Sequence, residues 1–216
     1  NFTSFLPLPF EKASMKKPFV ATLFVLLLSV NAAAVAQELH TFTRVQLTDQ
    51  FWSEGASFGD LNNDGVNDII SGPWWWEGPS FKTRHEYYPA TTTFQLKLGP
   101  MTAITVPGFE GFLGKENKYS NNFFVFVHDF NRDQWNDILV IGFPGQDTSW
   151  FENPKGKAGH WLRHTVFDQT DNESPTFADL TGDGKPELVC ITRGQYGYAA
   201  PDWSDPAKPW TFHAIS

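Results

Sequence analysis

The chain has 216 residues, enough for one or two domains, and a formal net charge of −8 at pH 7. This acidity argues against nucleic acid as a partner and favours cations instead. Aromatic residues make up 16% of the chain, and 17 glycines and 15 prolines are spread along it. Such a composition predicts short strands and turns rather than long helices.

The N-terminal region has the layout of a secretory signal peptide. Met15 is followed by two lysines, residues 19–30 form an apolar run, and an Ala-x-Ala motif ends at Ala36. We therefore expect a signal peptide over residues 15–36, cleavage after Ala36, and a secreted, periplasmic or cell-surface mature protein. The alternative, a membrane anchor, is disfavoured because the apolar run is too short to span a bilayer comfortably. No membrane span is therefore expected after cleavage, and residues 1–14 are interpreted as an upstream leader or a gene-call artefact.

A nine-residue motif recurs three times, at residues 60–68, 129–137 and 179–187. Its first, third, fifth and ninth positions carry oxygen-bearing side chains, and its second position is always apolar. Each copy is followed by an apolar segment typical of a strand. The oxygen-bearing residues are Asp60, Asn62, Asp64 and Asp68, then Asp129, Asn131, Asp133 and Asp137, and finally Asp179, Thr181, Asp183 and Glu187.

This spacing suits a hard cation such as Ca²⁺, which takes about six to eight oxygen ligands. Alternate side chains of a tight loop can turn inward, and the sixth position must turn sharply, which suits Gly65 and Gly184. We expect up to three Ca²⁺ ions, one per loop. The second site should be weaker, because Gln134 occupies the sixth position there and a residue with a side chain adopts a positive φ less easily than glycine. The seventh position can add its backbone carbonyl, and it is occupied by Val66, Trp135 and Lys185.

Two other interpretations of the loops are weaker. An EF-hand would close with an acid at the twelfth position and would lie between helices, whereas these loops close at the ninth and lie between strand-like segments. Metal-free turns rich in Asp, Asn and Gly remain the second alternative, and three copies in register count against it.

The repeat extends beyond the loop into a pattern of four short strands. An aromatic-x-x-Pro segment follows each loop, and a strand containing a histidine comes next. Four short antiparallel strands per repeat are the design of a β-propeller blade. Our alignment places Trp76, Phe151 and Tyr198 at the equivalent aromatic position, and His85, His164 and His213 at the histidine position.

The predicted fold is therefore all-β, a partial β-propeller of four-stranded antiparallel blades. Blades are expected near residues 54–88, 121–167 and 173–215 of a propeller segment that spans 37–216. Residues 89–120 are predicted to be an insertion that forms a surface hairpin or loop, and as a long connection it is a candidate site region. A closed propeller has about four to eight blades, so a truncated ring is expected.

These units resemble FG-GAP/VCBS repeats, the calcium-binding blades of integrin-α-type propellers. The resemblance rests on the three loops, on Phe58-Gly59 before the first one, and on the segments 74–79 and 150–154, which are similar to those of secreted bacterial propellers of planctomycete-like genomes. It covers about residues 40–216. It implies one Ca²⁺ in the loop between the first and second strands of each blade.

A few further residues are candidates for ligand contact. Glu54, Asn122 and Glu173 each precede a loop by six or seven residues and could line the mouth of a central channel, although solvated strand ends are the alternative. Trp74 is the tryptophan of the run 74–76 that the repeat constrains least. The recurring histidines are expected to pack, and the single cysteine, Cys190, is expected to be buried and inert.

The predicted function is a secreted calcium-binding propeller that acts as a binding or interaction module for extracellular carbohydrate or protein. One alternative is part of a carbohydrate-active enzyme, such as a polysaccharide lyase or a sugar dehydratase-like propeller, which rests on fold analogy. Another alternative is a structural or adhesive surface protein.

Overall fold

Short apolar segments of the sequence form β-strands throughout the part of the chain that the computed structural model describes, residues 41–90, 93–99, 101–107 and 120–216. Among these residues there is no α-helix, and none of the described structure is a helix long and apolar enough to cross a bilayer. The predicted signal peptide and leader lie outside the described residues. Residues Val45–Ser216 form one compact unit.

Three four-stranded antiparallel sheets follow one another along the chain, and each is a simple meander in which sequential strands pair. Blade 1 contains β1 (Ala56–Gly59), β2 (Asp68–Ser71), β3 (Trp74–Trp76) and β4 (Arg84–Glu86). Blade 2 contains β7 (Phe124–His128), β8 (Asp137–Ile141), β9 (Gln146–Glu152) and β10 (Leu162–Thr170). Blade 3 contains β11 (Thr176–Ala178), β12 (Glu187–Thr192), β13 (Gln195–Ala200) and β14 (Thr211–Ala214).

These sheets confirm the predicted all-β class and the four-stranded antiparallel blades. Within the predicted insertion, β5 (Thr93–Gly99) and β6 (Thr102–Pro107) pair as a separate antiparallel hairpin. The bounds of the predicted insertion, residues 89–120, stay a prediction.

The second strand of blade 2 is buried on both faces. Successive side chains of a strand point to opposite sides of the sheet, and all five residues of β8 are buried. Ile138 and Val140 belong to a core shared with Trp75 of blade 1, whereas Leu139 and Ile141 belong to a core shared with Leu188 of blade 3. Blade 2 is therefore sandwiched between its two neighbours.

Backbone hydrogen bonds repeat at the two seams between blades. The N–H of Trp161 donates to the carbonyl of Tyr87 at 2.8 Å, and the N–H of Trp210 donates to the carbonyl of Val166 at 2.7 Å. In each case the donor is the tryptophan directly before the last strand of its blade. The acceptor lies two positions after the recurring histidine of the preceding blade. The seams are thus built in the same way.

The recurring histidines pack against aromatic rings, as expected. His85 stacks on Trp75 and His164 stacks on Trp150, each with ring centroids 4.2 Å apart, and His213 stacks on Tyr198 at 4.9 Å. In the first two blades the imidazole also hydrogen-bonds a glutamate, Glu77 at 2.7 Å and Glu152 at 3.0 Å. The third blade has Ala200 at the equivalent position, so this bond is missing there.

The register of β13 corrects the sequence alignment of blade 3. Trp75 pairs with Ile70, Trp150 with Leu139 and Tyr198 with Val189, and these three partners each lie two residues after the closing acid of their loop. Tyr198 is therefore equivalent to Trp75 and Trp150, not to Trp76 and Phe151. The alignment was wrong by one residue because it matched Pro201 with Pro79 and Pro154. The strand register shows that Pro201 is not equivalent to these two prolines.

The fully buried Cys190 gives a test of the core between blades 2 and 3. Burial raises the pKa of its thiol to about 12, so almost no thiolate is present at pH 8, and the thiolate is the reactive form. We expect labelling by a thiol reagent to be negligible in the folded protein and rapid in urea. Labelling of the native protein at the rate of a free cysteine would contradict this packing.

A second prediction tests whether β8 joins the blades. Leu139→Ala removes a fully buried side chain and should lower the free energy of unfolding by about 2–5 kcal/mol, measured by urea denaturation. The control is Leu162→Ala, since Leu162 is 62% exposed and its loss should change the free energy by about 0.5 kcal/mol or less. Equal effects of the two substitutions would contradict the sandwiched position of blade 2.

Candidate metal centres

Each of the three acidic loops connects the first strand of a blade to the second, and all three have left-handed backbone conformations at the same two positions. The sixth position has a left-handed conformation in every loop, with φ of 85°, 72° and 82° at Gly65, Gln134 and Gly184. The sharp turn predicted from the two glycines is therefore present, and Gln134 adopts it despite the cost to a residue with a Cβ. The fourth position is left-handed as well, at Asn63, Arg132 and Gly182, which the sequence did not indicate.

The first carboxylate of each loop accepts hydrogen bonds from backbone N–H groups across the loop. In the first loop, Asp60 accepts from Asp64 at 3.1 Å and from Gly65 at 2.8 Å. The same bonds recur from Asp133 and Gln134 to Asp129 and from Asp183 and Gly184 to Asp179, at 2.9–3.1 Å. These bonds turn the acids inward and set the shape of the loop.

The fifth position uses one carboxylate oxygen in the same way and leaves the other for different partners. Oδ1 accepts the N–H of the seventh residue at 2.8–2.9 Å in all three loops. Oδ2 of Asp64 accepts the side-chain amide of Asn62 at 3.0 Å. Oδ2 of Asp133 instead lies 3.0 Å from the ammonium of Lys155, and Oδ2 of Asp183 lies 3.8 Å from that of Lys185.

The closing aspartates have a structural role that the sequence did not reveal. Asp68 is fully buried and accepts the N–H of Leu61 at 2.8 Å and that of Gly78 at 2.9 Å. Asp137 is also fully buried and accepts from Phe130 at 3.0 Å and Asn153 at 2.8 Å. Each carboxylate therefore fastens its loop to the turn that follows the third strand of its own blade.

The closing residue of the third loop keeps the bond from the second position of the loop, and a loop hydroxyl replaces the donor from the turn after the third strand. Glu187 accepts from the N–H of Leu180 at 2.9 Å and from the hydroxyl of Thr181 at 3.1 Å. Its carboxylate lies near those of Asp179 and Asp183, and one oxygen from each falls within 4.8 Å of the others. These are hard oxygen donors of the kind that Ca²⁺ takes, so the residues of the third loop fit the predicted ion.

Negative charge is concentrated at the loops. Burial raises the pKa of Asp137 to about 7 against the opposing effect of its backbone N–H donors, and the neighbouring Asp133 and Asp129 raise it further. Burial also raises the pKa of Asp68, with the same opposition from N–H donors and a smaller contribution from Asp64 and Asp60. The charged form of these acids is thus disfavoured, and a bound cation would relieve that cost.

The seventh positions, Val66, Trp135 and Lys185, are held by the hydrogen bond that each N–H donates to the fifth residue. Their predicted use of the backbone carbonyl as a ligand stays a prediction. Asn131 accepts the N–H of Asp133 at 3.1 Å, and the hydroxyl of Thr181 donates to Glu187 at 3.1 Å; their use as ligands also stays a prediction.

The predicted ligand-contact residues are found in different surroundings. Asn122 is fully buried and donates to the carbonyl of Gly72 at 2.9 Å, so it links blade 2 to blade 1. Glu54 and Glu173 are exposed just before β1 and β11. Trp74 is partly buried, with the Arg84 guanidinium 3.9 Å from its ring centroid and Trp52 against its edge. A ligand contact by these residues stays a prediction.

A cavity of about 350 Å³ lies beside the first loop, lined in part by Trp75, Glu77, His85 and Trp161. Trp75 is buried and its ring face is covered by His85, so it offers no stacking platform for a sugar. The indole N–H of the equivalent Trp150 donates to the carbonyl of Pro206 at 3.1 Å, whereas that of Trp75 has no partner among the described residues.

Three four-stranded antiparallel sheets, each with an acidic loop between its first two strands, are consistent with the blades of a partial propeller. Residues 129–190 match the family model described as an FG-GAP-like repeat. This segment runs from the start of the second loop to β12 of blade 3 and includes the whole of the third loop. These residues are therefore similar to an FG-GAP-like repeat, which supports the resemblance found in the sequence. No curated protein and no solved structure matched the chain.

The closing and fifth acids should differ in a metal-free protein. Asp68→Ala leaves two N–H groups without their acceptor and should cost about 1–3 kcal/mol for each one that stays buried. Asp64→Ala alters an exposed part of the same loop and should cost about 0.5 kcal/mol or less. Urea denaturation in EDTA measures both. Similar values for the two variants would contradict the structural role of Asp68.

Proposed function

We propose that this protein is an extracellular β-propeller module whose blades are stabilised by Ca²⁺ and that serves to bind an extracellular protein or carbohydrate. The observation that carries the proposal is the repeated geometry of the three loops. The first and fifth carboxylates are held by backbone N–H groups in the same way in each loop. Among the described residues, the third loop alone brings three carboxylates within 4.8 Å of one another.

The residues proposed to hold Ca²⁺ are the side chains at the first, third, fifth and ninth positions, with the seventh carbonyl. When bound, the ion neutralises the clustered carboxylates. The chain's own residues shape each site, because the backbone N–H groups of the fifth, sixth and seventh positions orient the first and fifth carboxylates. The buried ninth residue fixes the end of the loop at the start of the second strand.

A loop also touches the next blade, so ordering one loop supports a seam. The side-chain amide of Asn136 donates to the carbonyl of Asp60 at 2.8 Å, and that of Asn153 donates to the carbonyl of Leu61 at 2.8 Å. Both asparagines belong to blade 2, whereas both carbonyls belong to the first loop. Calcium bound in the first loop would therefore stabilise the contact between blades 1 and 2.

The proposed location follows from the predicted signal peptide and from the chemistry of the loops. Extracellular calcium modules have dissociation constants of about 10⁻⁴–10⁻³ M, which suits a compartment with abundant Ca²⁺. Binding adds to stability because the formed site is absent from the unfolded chain. The partner is proposed to be an extracellular protein or carbohydrate, and the module would present rigid blades to it.

Calcium titration tests the metal part of the proposal. Protein treated with EDTA should unfold at a higher temperature as Ca²⁺ is added, and one site at one hundred times its dissociation constant should contribute about 2.7 kcal/mol. Mg²⁺ at the same concentration serves as the control for ionic strength and charge. An unchanged melting temperature over the calcium titration would contradict the proposal.

Single substitutions test the assignment of ligands in the first loop. Asp64→Ala removes a charged donor, whereas Asn62→Ala removes a neutral one, so the first variant should lose more of the calcium-dependent rise in melting temperature. Both residues are exposed or partly exposed, and neither change should greatly affect the protein in EDTA. Equal losses in the two variants would argue against the proposed roles of these side chains.

A further inference from the structure

The second loop differs from the others in having a lysine from elsewhere in its blade at the fifth carboxylate. The Nζ atom of Lys155 lies 3.0 Å from Oδ2 of Asp133, whose side chain is 16% exposed, whereas the Lys155 side chain is 48% exposed. Lys155 is 22 positions away from Asp133 in the sequence and lies in the segment between β9 and β10. Its ammonium therefore reaches the loop through the fold of the blade.

The backbone of Lys155 is fixed in place. Its N–H donates to Oδ1 of Asn153 at 2.9 Å, and it has a left-handed φ of 57°. Asn153 is itself buried and donates to the carbonyls of Leu61 and Asn136 at 2.8 and 2.9 Å. The segment that carries the lysine is thus hydrogen-bonded to the first and second loops, and this fixes the backbone position from which the Lys155 side chain extends.

The equivalent positions of the other blades carry no cation. The strand register makes Trp75, Trp150 and Tyr198 equivalent, and five residues after each of them stand Ser80, Lys155 and Trp203. In the third loop, Lys185 belongs to the loop itself. Its ammonium lies farther from the carboxylate, at 3.8 Å, and the Asp183 side chain is 52% exposed. The close ammonium is therefore a feature of the second loop.

We propose that Lys155 acts as an internal cation in the second loop and takes the place of Ca²⁺ there, so that this protein binds Ca²⁺ in the first and third loops only. This rests on the proposed calcium function. The ammonium supplies positive charge at the carboxylate oxygen that a metal would use, and it would repel a divalent ion at that position. The second loop thereby carries its own counter-ion, whereas the carboxylates of the first and third loops would be neutralised by calcium.

Equilibrium dialysis against Ca²⁺ measures the number of bound ions directly. The wild-type protein should bind two, and Lys155→Met, which keeps the length of the side chain and removes its charge, should bind three. The dissociation constant of the second loop for Ca²⁺ should be at least about tenfold lower in Lys155→Met than in the wild type. Circular dichroism in EDTA verifies that the variant is folded.

Matched variants assign the additional ion to the second loop. Lys155→Arg keeps the charge and should bind two ions, and Lys157→Met, which changes an exposed lysine two residues further along, should also bind two. Adding Asp133→Asn to Lys155→Met should return the number to two.

The number of bound ions distinguishes a failure of the proposed role of Lys155 from a failure of the proposed calcium function. Equal, non-zero numbers of ions in the wild type and Lys155→Met would overturn the role of Lys155 and leave the calcium function in place. No bound ion in either protein would overturn the proposed calcium function, and this inference with it.

Discussion

The buried carboxylate at the end of each of the first two loops is the interaction on which the blades depend. Asp68 and Asp137 accept two backbone N–H groups each, one from the start of the loop and one from the turn after the third strand. A buried N–H that loses its acceptor destabilises the fold, so these acids hold the loop and the sheet in one geometry. The same buried charge also makes the loop a favourable place for a cation.

The loops are connected to their neighbours as well as to their own sheets. Asn136 and Asn153 of blade 2 bond backbone carbonyls of the first loop, and Arg132 of the second loop lies 5.9 Å from the ring of Trp203 in blade 3. Because each apolar seam has such a polar contact at its loop end, the order of a loop and the packing of the blades are coupled. Ions bound in the loops would thus act on the whole array.

Much of the fold could be predicted from the sequence, because it is repeated. Three copies of an alternating acidic loop indicated three blades, and glycine at the sixth position indicated the left-handed turn that Gly65 and Gly184 adopt. The register of the third blade could not be predicted, since Tyr198 and Ala199 are both compatible with a strand and only backbone pairing distinguishes them.

The roles of the closing aspartates and of Lys155 depend on contacts with the turn after the third strand. Residues 78, 153 and 155 reach the loops only in the folded sheet, so spacing alone could not reveal them.

Hydrogen–deuterium exchange with and without Ca²⁺ tests the central claim most directly, because it follows the loops and the seams in one experiment. The claim is that metal in the loops stabilises the contacts between blades. Calcium should slow exchange in residues 60–68 and 179–187 and also at the amide of Trp161, which bonds Tyr87 across the first seam. Protection limited to the loops, with unchanged exchange at Trp161, would contradict the coupling, and unchanged exchange throughout would contradict calcium binding itself.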